Sequence, residues 1–234
     1  MPEVRPRDDL AALIAERCPP DLGDADILVI ASKVVSKAEG RLVQLADVTP
    51  GEEARRLAEQ GKDPRVVQLV LDEAAEVLRA ERGVLIVETR HGFVCASAGV
   101  DASNAPAAGT LVLLPLDPDA SAERLRVRLA ELTDRTVGVV VSDSFGRAWR
   151  QGTTDVAIGA AGIVTLLDLR GRRDRVGYEL HATAIALADE IAGAAELVMG
   201  KTRGIPGAVV RGLEVAGEGT ARDLVMPAER DLFR

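Results

Sequence analysis

The sequence predicts an α+β protein built on an irregular mixed sheet. Short apolar, β-branched runs such as ILVIA (27–31) and VGVVV (137–141) have the length of buried strands rather than helices. Amphipathic helical patterns lie between them. The two kinds of segment do not alternate with the regularity of βαβ units, which disfavours a doubly wound sheet. The chain has 234 residues, 47% of them hydrophobic. That suffices for a sizeable core in one unit spanning 1–234, with no internal boundary legible.

Taken in order, Asp8 and Asp9 precede LAALIAERC, a short helix with acids at its N-terminal end. The strand ILVIA is followed by SKVVSKAEG, which sets Lys33 and Lys37 four residues apart. Residues 51–82 are charged and helical in period, with Val66, Val67, Leu69, Val70, Leu71, Val77 and Leu78 as the apolar set. Strands are expected at 84–87, 93–96 and 111–114. Between the last two lies AGVDASNAPAAG (98–109), a small-residue loop that lets backbone approach a ligand. Asp117, Pro118 and Asp119 introduce a charge-paired helix, SAERLRVRLAEL. After the strand at 137–141, residues 156–168 are apolar and glycine-punctuated, and 169–177 carry four arginines. Residues 178–199 form the longest helical pattern, Ala-rich with Glu179, Asp189, Glu190 and Glu196. GKTRGIPG breaks it, and a last strand is expected at 208–210.

Composition excludes several classes. Aromatics make up 2%, too few to build base-stacking platforms, and the net charge of −8 opposes a broad nucleic-acid or anionic-membrane surface. No run approaches the roughly 18 apolar residues of a membrane span. The N-terminus MPEVRPRDD lacks the apolar stretch of a signal peptide. Cys18 and Cys95 read as reduced, buried thiols of a cytoplasmic protein, and two His with two Cys lack zinc-site spacing.

The chemistry concentrates in residues 137–162. There an apolar run gives way to Ser142, Asp143 and Ser144, then Gly146, Arg147 and Arg150, then Asp155. Carboxylates and cations at the edge of a core bind one another or a ligand. Asp101 of the small-residue loop reads either as a turn former or, with Asp143 and Ser144, as an oxygen ligand of Mg²⁺ or Mn²⁺. Lys33 and Lys37 read either as solvated surface lysines or, with Ser32, as holders of phosphate oxygens. Arg147, Arg150, Arg170, Arg172 and Arg173 are solvated, paired with Asp168 and Asp174, or anion binders. Residues 195–202, AELVMGKT, miss the Walker A pattern at Ala195 and lie after a helix rather than before one. A phosphate contact by Gly200 and Lys201 remains open to such a glycine loop. His91 and His181 read as structural, His181 within the long helix.

The blocks SKVVSKAEGRLV, ETRHGFVCASAGVDASNA, VVVSDSFGRAWRQGTTDVAIGAAGI, LRGRRDRVGYEL and ADEIAGAAELVMGKTRGIPGAVVRGL resemble, in order, the coenzyme F-420-0:L-glutamate ligase family. The resemblance covers residues 2–219. It implies an irregular α+β fold that forms an intertwined homodimer. It also implies a ligase that uses GTP to phosphorylate the carboxylate of the phospholactyl side chain of coenzyme F-420-0. L-glutamate then attacks to form an amide, and later glutamates are γ-linked. Mg²⁺ or Mn²⁺ is required, and K⁺ stimulates some members. By position, Asp101, Asp143 and Ser144 fall on the family's metal ligands, with Asp143, Asp101 and Arg147 expected at the reaction centre. Pro2, Glu3, Val4, Ser32, Lys33, Lys37, Asn104 and the loop of Met199, Gly200, Lys201, Thr202, Arg203, Gly204 and Ile205 fall on its nucleotide contacts. Archaeal relatives place a metal-binding Glu where Lys201 stands. Relatives usually carry a strand ahead of residue 1, and actinobacterial ones fuse a flavin reductase domain behind the ligase, which makes such a domain or subunit an expected partner. The resemblance leaves two other readings: a ligase for another phosphorylated carboxylate, and a non-catalytic nucleotide-binding subunit of a separate reductase.

Overall fold

The computed structural model of the chain describes residues 1–59 and 61–232. Asp9 opens α1 (Leu10–Ala15) by accepting the Ala12 N–H at 3.1 Å. Strand β1 (Ile27–Ala31) passes directly into α2 (Ser32–Ala38), followed by β2 (Leu42–Gln44). The helical stretch expected over 51–82 is shorter than its periodicity suggests. It comprises α3 (Glu52–Ala58) and α4 (Pro64–Glu73), and the chain then extends as β3 (Ala74–Glu81), paired antiparallel with β4 (Val84–Thr89). Arg82 and Gly83 both have left-handed backbone, φ 52° and 74°. Two such residues make the tight connection whose twist matches paired strands, and that local turn overrides the helical period.

Next come β5 (Val94–Ala96), β6 (Thr110–Val112) and α5 (Pro118–Thr133), the last capped by Asp117. The strand expected to end at residue 141 continues as β7 (Gly138–Arg147), so Ser142, Asp143 and Ser144 are strand residues. It turns back into β8 (Arg150–Ala161). After β9 (Leu166–Asp168), the long helix expected over 178–199 is corrected. Residues 178–183 lack regular structure, β10 (Ala184–Ala186) pairs with β9, and α6 begins only at Leu187, running to Met199. Asp174 accepts the N–H groups of Val176 and Tyr178, both at 2.9 Å, and Gly177 has φ 91°, which holds this stretch in a turn. His181 is therefore exposed in a loop, 4.0 Å from Glu179, and not within a helix. The last strand is β11 (Gly207–Val210).

The principal sheet has the order β11-β1-β7-β8. β1 and β7 are parallel, and the other pairings are antiparallel. Alternate side chains of β1 enter two different clusters. Leu28 and Ile30 pack with Leu10, Ile14, Leu125 and Leu129 of α1 and α5. Ile27 and Val29 pack with Ala188, Ile191, Ala192 and Ala195 of α6. Both faces are covered, so these strands read as unbroken apolar runs rather than alternating ones. A third cluster joins α3 and α4 to the β3-β4-β5 sheet through Ala54, Val67, Val70 and Val87. The result is a mixed α/β molecule with irregular mixed sheets, in line with the α+β expectation. No helix among the described residues is long and apolar enough to cross a membrane.

Candidate active site

Parallel strands bring their C-terminal ends to the same edge of a sheet, and ligands of open α/β sheets bind at that edge. Here the register Ala31↔Ser142 places the start of α2 beside Ser142, Asp143 and Ser144. Around them lies a cavity of about 410 Å³. Pro2, Glu3 and Val4 line it, as do Ser32, Lys33 and Lys37 of α2, Asn104, and Asp143 with Ser144. Met199, Gly200, Lys201, Gly204 and Ile205 contribute from the loop after α6. A larger trough of about 1160 Å³ lies at the opposite end of the sheet. Among the described residues its charged lining is Asp24, Asp119, Glu123, Glu214 and Glu218 against one cation, Arg126, a balance that disfavours an anionic ligand.

Each cation of the smaller cavity has an oxygen partner. Lys33 donates to Asp101 Oδ2 at 2.5 Å and to the Ser103 hydroxyl. Lys37, buried, donates to Glu3 of the N-terminal segment. Lys201 donates to the Ser144 hydroxyl. The loop carrying Lys201 is bounded by Gly200 (φ 59°) and Gly204 (φ 67°), a left-handed backbone that glycine adopts at little cost. Asn104 is also left-handed, at φ 56°, a conformation asparagine tolerates in loops.

The acids divide by environment. Ser32 donates to Asp143 Oδ1 at 2.9 Å. Burial nevertheless pushes the Asp143 carboxyl up to about 6, against that hydrogen bond and the nearby charges of Lys201 and Lys33. For Asp101, burial opposes ionisation, but hydrogen bonds from Lys33 and Ser103 prevail and hold its carboxyl below the usual range. Cys95 lies near Asp143. Burial and the carboxylate's charge push its thiol up to about 12, so it is an inert structural thiol. Cys18 is also free and only partly buried.

Some expected residues lie elsewhere. Asp101 does not line the cavity; it reaches it through Lys33. Arg147 sits exposed near the tip of the β7–β8 hairpin, with its guanidinium 3.4 Å from the Gln151 carbonyl, and Arg150 is exposed beside it. Thr202 and Arg203 are exposed and do not line the cavity. Arg170 is paired with Asp168 at 2.5 Å. His91 donates from Nε2 to the carbonyls of Pro115 and Leu116 and stacks on Phe93, a structural role.

Two further acids line the cavity: Asp155, which the sequence places in the chemical segment without a role, and Glu196, which reads there only as a helix acid. Asp155 is buried and accepts hydrogen bonds from Ser142 at 3.0 Å and from Ser144. Folding residues 137–162 into a hairpin about Trp149 would have found that role, because Ser144 and Asp155 are direct partners. For Glu196, a place on α6 one turn before Gly200 was the only signal.

The donor set fits a hard cation. Ser144 already presents an acceptor lone pair to the Lys201 ammonium, and Asp143 adds a carboxylate. Among the described residues no group of three or more His, Cys, Asp or Glu is placed to hold a metal. The protein would thus supply only part of a coordination shell, as in Mg²⁺ sites completed by substrate phosphates and water.

Comparison with known proteins identifies the family. The family model described as F420-0:Gamma-glutamyl ligase matches residues 1–212. The chain is 49% identical to the Coenzyme F420:L-glutamate ligase of Methanopyrus kandleri, covering 99% of this chain and 94% of that protein. It is 46% identical to the enzyme of that name from Archaeoglobus fulgidus, covering 100% and 93% respectively. For the one from Methanocaldococcus jannaschii, identity is 45% with coverage of 97% and 90%. The matched span contains the N-terminal segment, both strands and the glycine-bounded loop that together enclose the cavity, and on that match the chain belongs to the F420-0:gamma-glutamyl ligase family.

Proposed function

We propose that this protein is a GTP-dependent ligase that joins L-glutamate to coenzyme F-420-0 and then adds γ-linked glutamates. The observation that carries the reading is the convergence of Lys33, Lys37, Lys201, Asp143 and Ser144 on one cavity at the carboxyl ends of β1 and β7. Family membership, and the names of relatives similar over nearly their full length, support the reaction type and the two substrates.

In this reading Lys33 and Lys37 exchange their present partners for nucleotide phosphate oxygens, to which ammonium groups bind as point charges, and Lys201 faces the phosphates from its place on Ser144. Asp143 would hold Mg²⁺ or Mn²⁺ beside the Lys201–Ser144 pair. That cation would supply charge neutralisation of the transferred phosphoryl group. The γ-phosphoryl group passes to the coenzyme's carboxylate, giving an acyl phosphate and GDP. The glutamate amine displaces phosphate from the acyl carbon, losing a proton as the amide forms. The chain's own residues position these partners and neutralise their charge, and that is the greater part of phosphoryl-transfer catalysis.

Incubation of the protein with GTP, Mn²⁺, L-glutamate and coenzyme F-420-0 is expected to yield a product heavier by one glutamyl residue, with GDP and phosphate released in equal amount. Mass spectrometry that finds only starting coenzyme, with a folded protein, would reject the reading.

A further inference from the structure

Ser144 is engaged from two directions. Its hydroxyl donates to Asp155 Oδ1, while its oxygen accepts from the Lys201 ammonium. The other oxygen of Asp155 accepts from Ser142 at 3.0 Å, so this buried carboxylate is anchored before it meets Ser144. A serine oxygen binds a cation through a lone pair, and it can face the cation only when its proton is directed elsewhere. Asp155 takes that proton direction, and the cation on the lone pair is a side chain of the protein itself.

Asp143 is in a different position. Its side-chain hydrogen bond comes from the neutral Ser32 hydroxyl at 2.9 Å, and neither Lys33 nor Lys201 donates to it. At this end of the cavity the Ser144 oxygen thus faces a tethered ammonium, while among the described residues no ammonium donates to the neighbouring Asp143 carboxylate. Gly200 fixes the entry of the loop, which sets Lys201 over Ser144.

Resting on the ligase reading, we propose that Lys201 is a built-in cation of the site. Its ammonium fills the cation position at Ser144, Asp155 is the positioning residue that turns the Ser144 acceptor toward it, and the chain takes one divalent cation, at Asp143. A tethered single charge stays in place at any metal concentration. The nucleotide phosphates then meet one exchangeable cation and one fixed one.

Titration of the full-length protein with Mn²⁺, with free Mn²⁺ read by electron paramagnetic resonance, tests this. It is run with Mn²⁺ alone and with a non-hydrolysable GTP analogue present. Wild type is expected to bind one Mn²⁺ per chain in either condition, the bound analogue sharing that ion, and Lys201→Gln two. Lys201→Arg, which keeps the charge, is expected to stay at one. In the Lys201→Gln background, Asp155→Asn is expected to weaken the second Mn²⁺ at least tenfold while circular dichroism shows the fold retained. Two Mn²⁺ on wild type, one on Lys201→Gln, or none on either protein would overturn the proposal. An unchanged second affinity in the double variant would remove Asp155 from it. If the analogue fails to bind but the counts with Mn²⁺ alone differ as stated, the nucleotide reading falls and the Lys201 assignment stands.

Discussion

At Asp143 function and stability pull in opposite directions. Burial raises its carboxyl to about 6, above the ordinary value of 3.8. Below about pH 3 the group is protonated in folded and unfolded chains alike and has no effect on folding. As pH rises through 3.8 toward 6 the unfolded chain ionises first, so the folded state loses stability, and well above 6 the loss is complete. Asp143→Asn is therefore expected to stabilise the metal-free protein at pH 8 by about 3 kcal/mol, a gain that vanishes below about pH 3. The same change is expected to lower ligation at least a hundredfold, since a neutral amide is a poor ligand for a hard cation. Urea unfolding at both pH values, with an activity assay, checks the pair of outcomes. A variant less stable than wild type at pH 8 would contradict the burial argument. At this scale Asp143 and Ser144 were legible because polar residues interrupt a β-branched run. Asp155 stood out in the same segment, but its role did not, because a single carboxylate 11 residues from Ser144 acquires a partner only through strand pairing.

The elements that carry the site are held by close backbone approaches. At Gly159 of β8, a Cβ atom would lie 2.2 Å from the Pro118 carbonyl oxygen at the start of α5. Asp119, one residue further on, accepts the N–H groups of Ala160 at 2.9 Å and Ala221 at 2.7 Å, tying α5, β8 and the C-terminal segment together. Gly159→Ala must therefore push backbone against backbone, which no side-chain rotation relieves. The expected loss is about 3 kcal/mol, near the top of the usual range for overpacking, or roughly 6–12 °C in Tm for a chain of this size. Gly146→Ala in the neighbouring strand meets nothing within 4 Å and serves as the neutral comparison. Differential scanning calorimetry of the two variants distinguishes them. Element identity was legible where propensity and tertiary context agree, as in β1, α5 and the start of β7. It was not legible at β3, where AAEVLRAE carries helix-forming residues and only the Arg82–Gly83 turn reveals a hairpin. Nor was it legible ahead of α6, where the Asp174–Gly177 turn cuts an apparently continuous helical period.

On the scale of the whole molecule, the cavity is assembled from segments that the sequence keeps far apart: residues 1–4, α2, the Asn104 loop, the β7–β8 hairpin and the loop after α6. Resemblance between sequences can locate each segment, but their meeting is a consequence of β1 lying between β7 and β11 in one sheet. Glu3 is held by Lys37 and Asp101 by Lys33, so two of these junctions are ion pairs that a phosphate ligand would compete for, while Lys201 on Ser144 ties the loop after α6 to β7. Binding must then stabilise the complete fold, because no one segment contains the site. GTP with Mn²⁺ at a hundred times its dissociation constant contributes about 2.7 kcal/mol, which is about 5–11 °C in Tm at 2–4 °C per kcal/mol. Lys37 is the buried lysine of the three, and its removal leaves Glu3 without its partner. Lys37→Met, which keeps the apolar stem, is expected to abolish most of the ligand-induced shift while changing the Tm of the free protein by less than the shift itself. Thermal scans with GTP alone, Mn²⁺ alone and both together measure this. A shift fully retained in Lys37→Met would place the nucleotide outside the cavity.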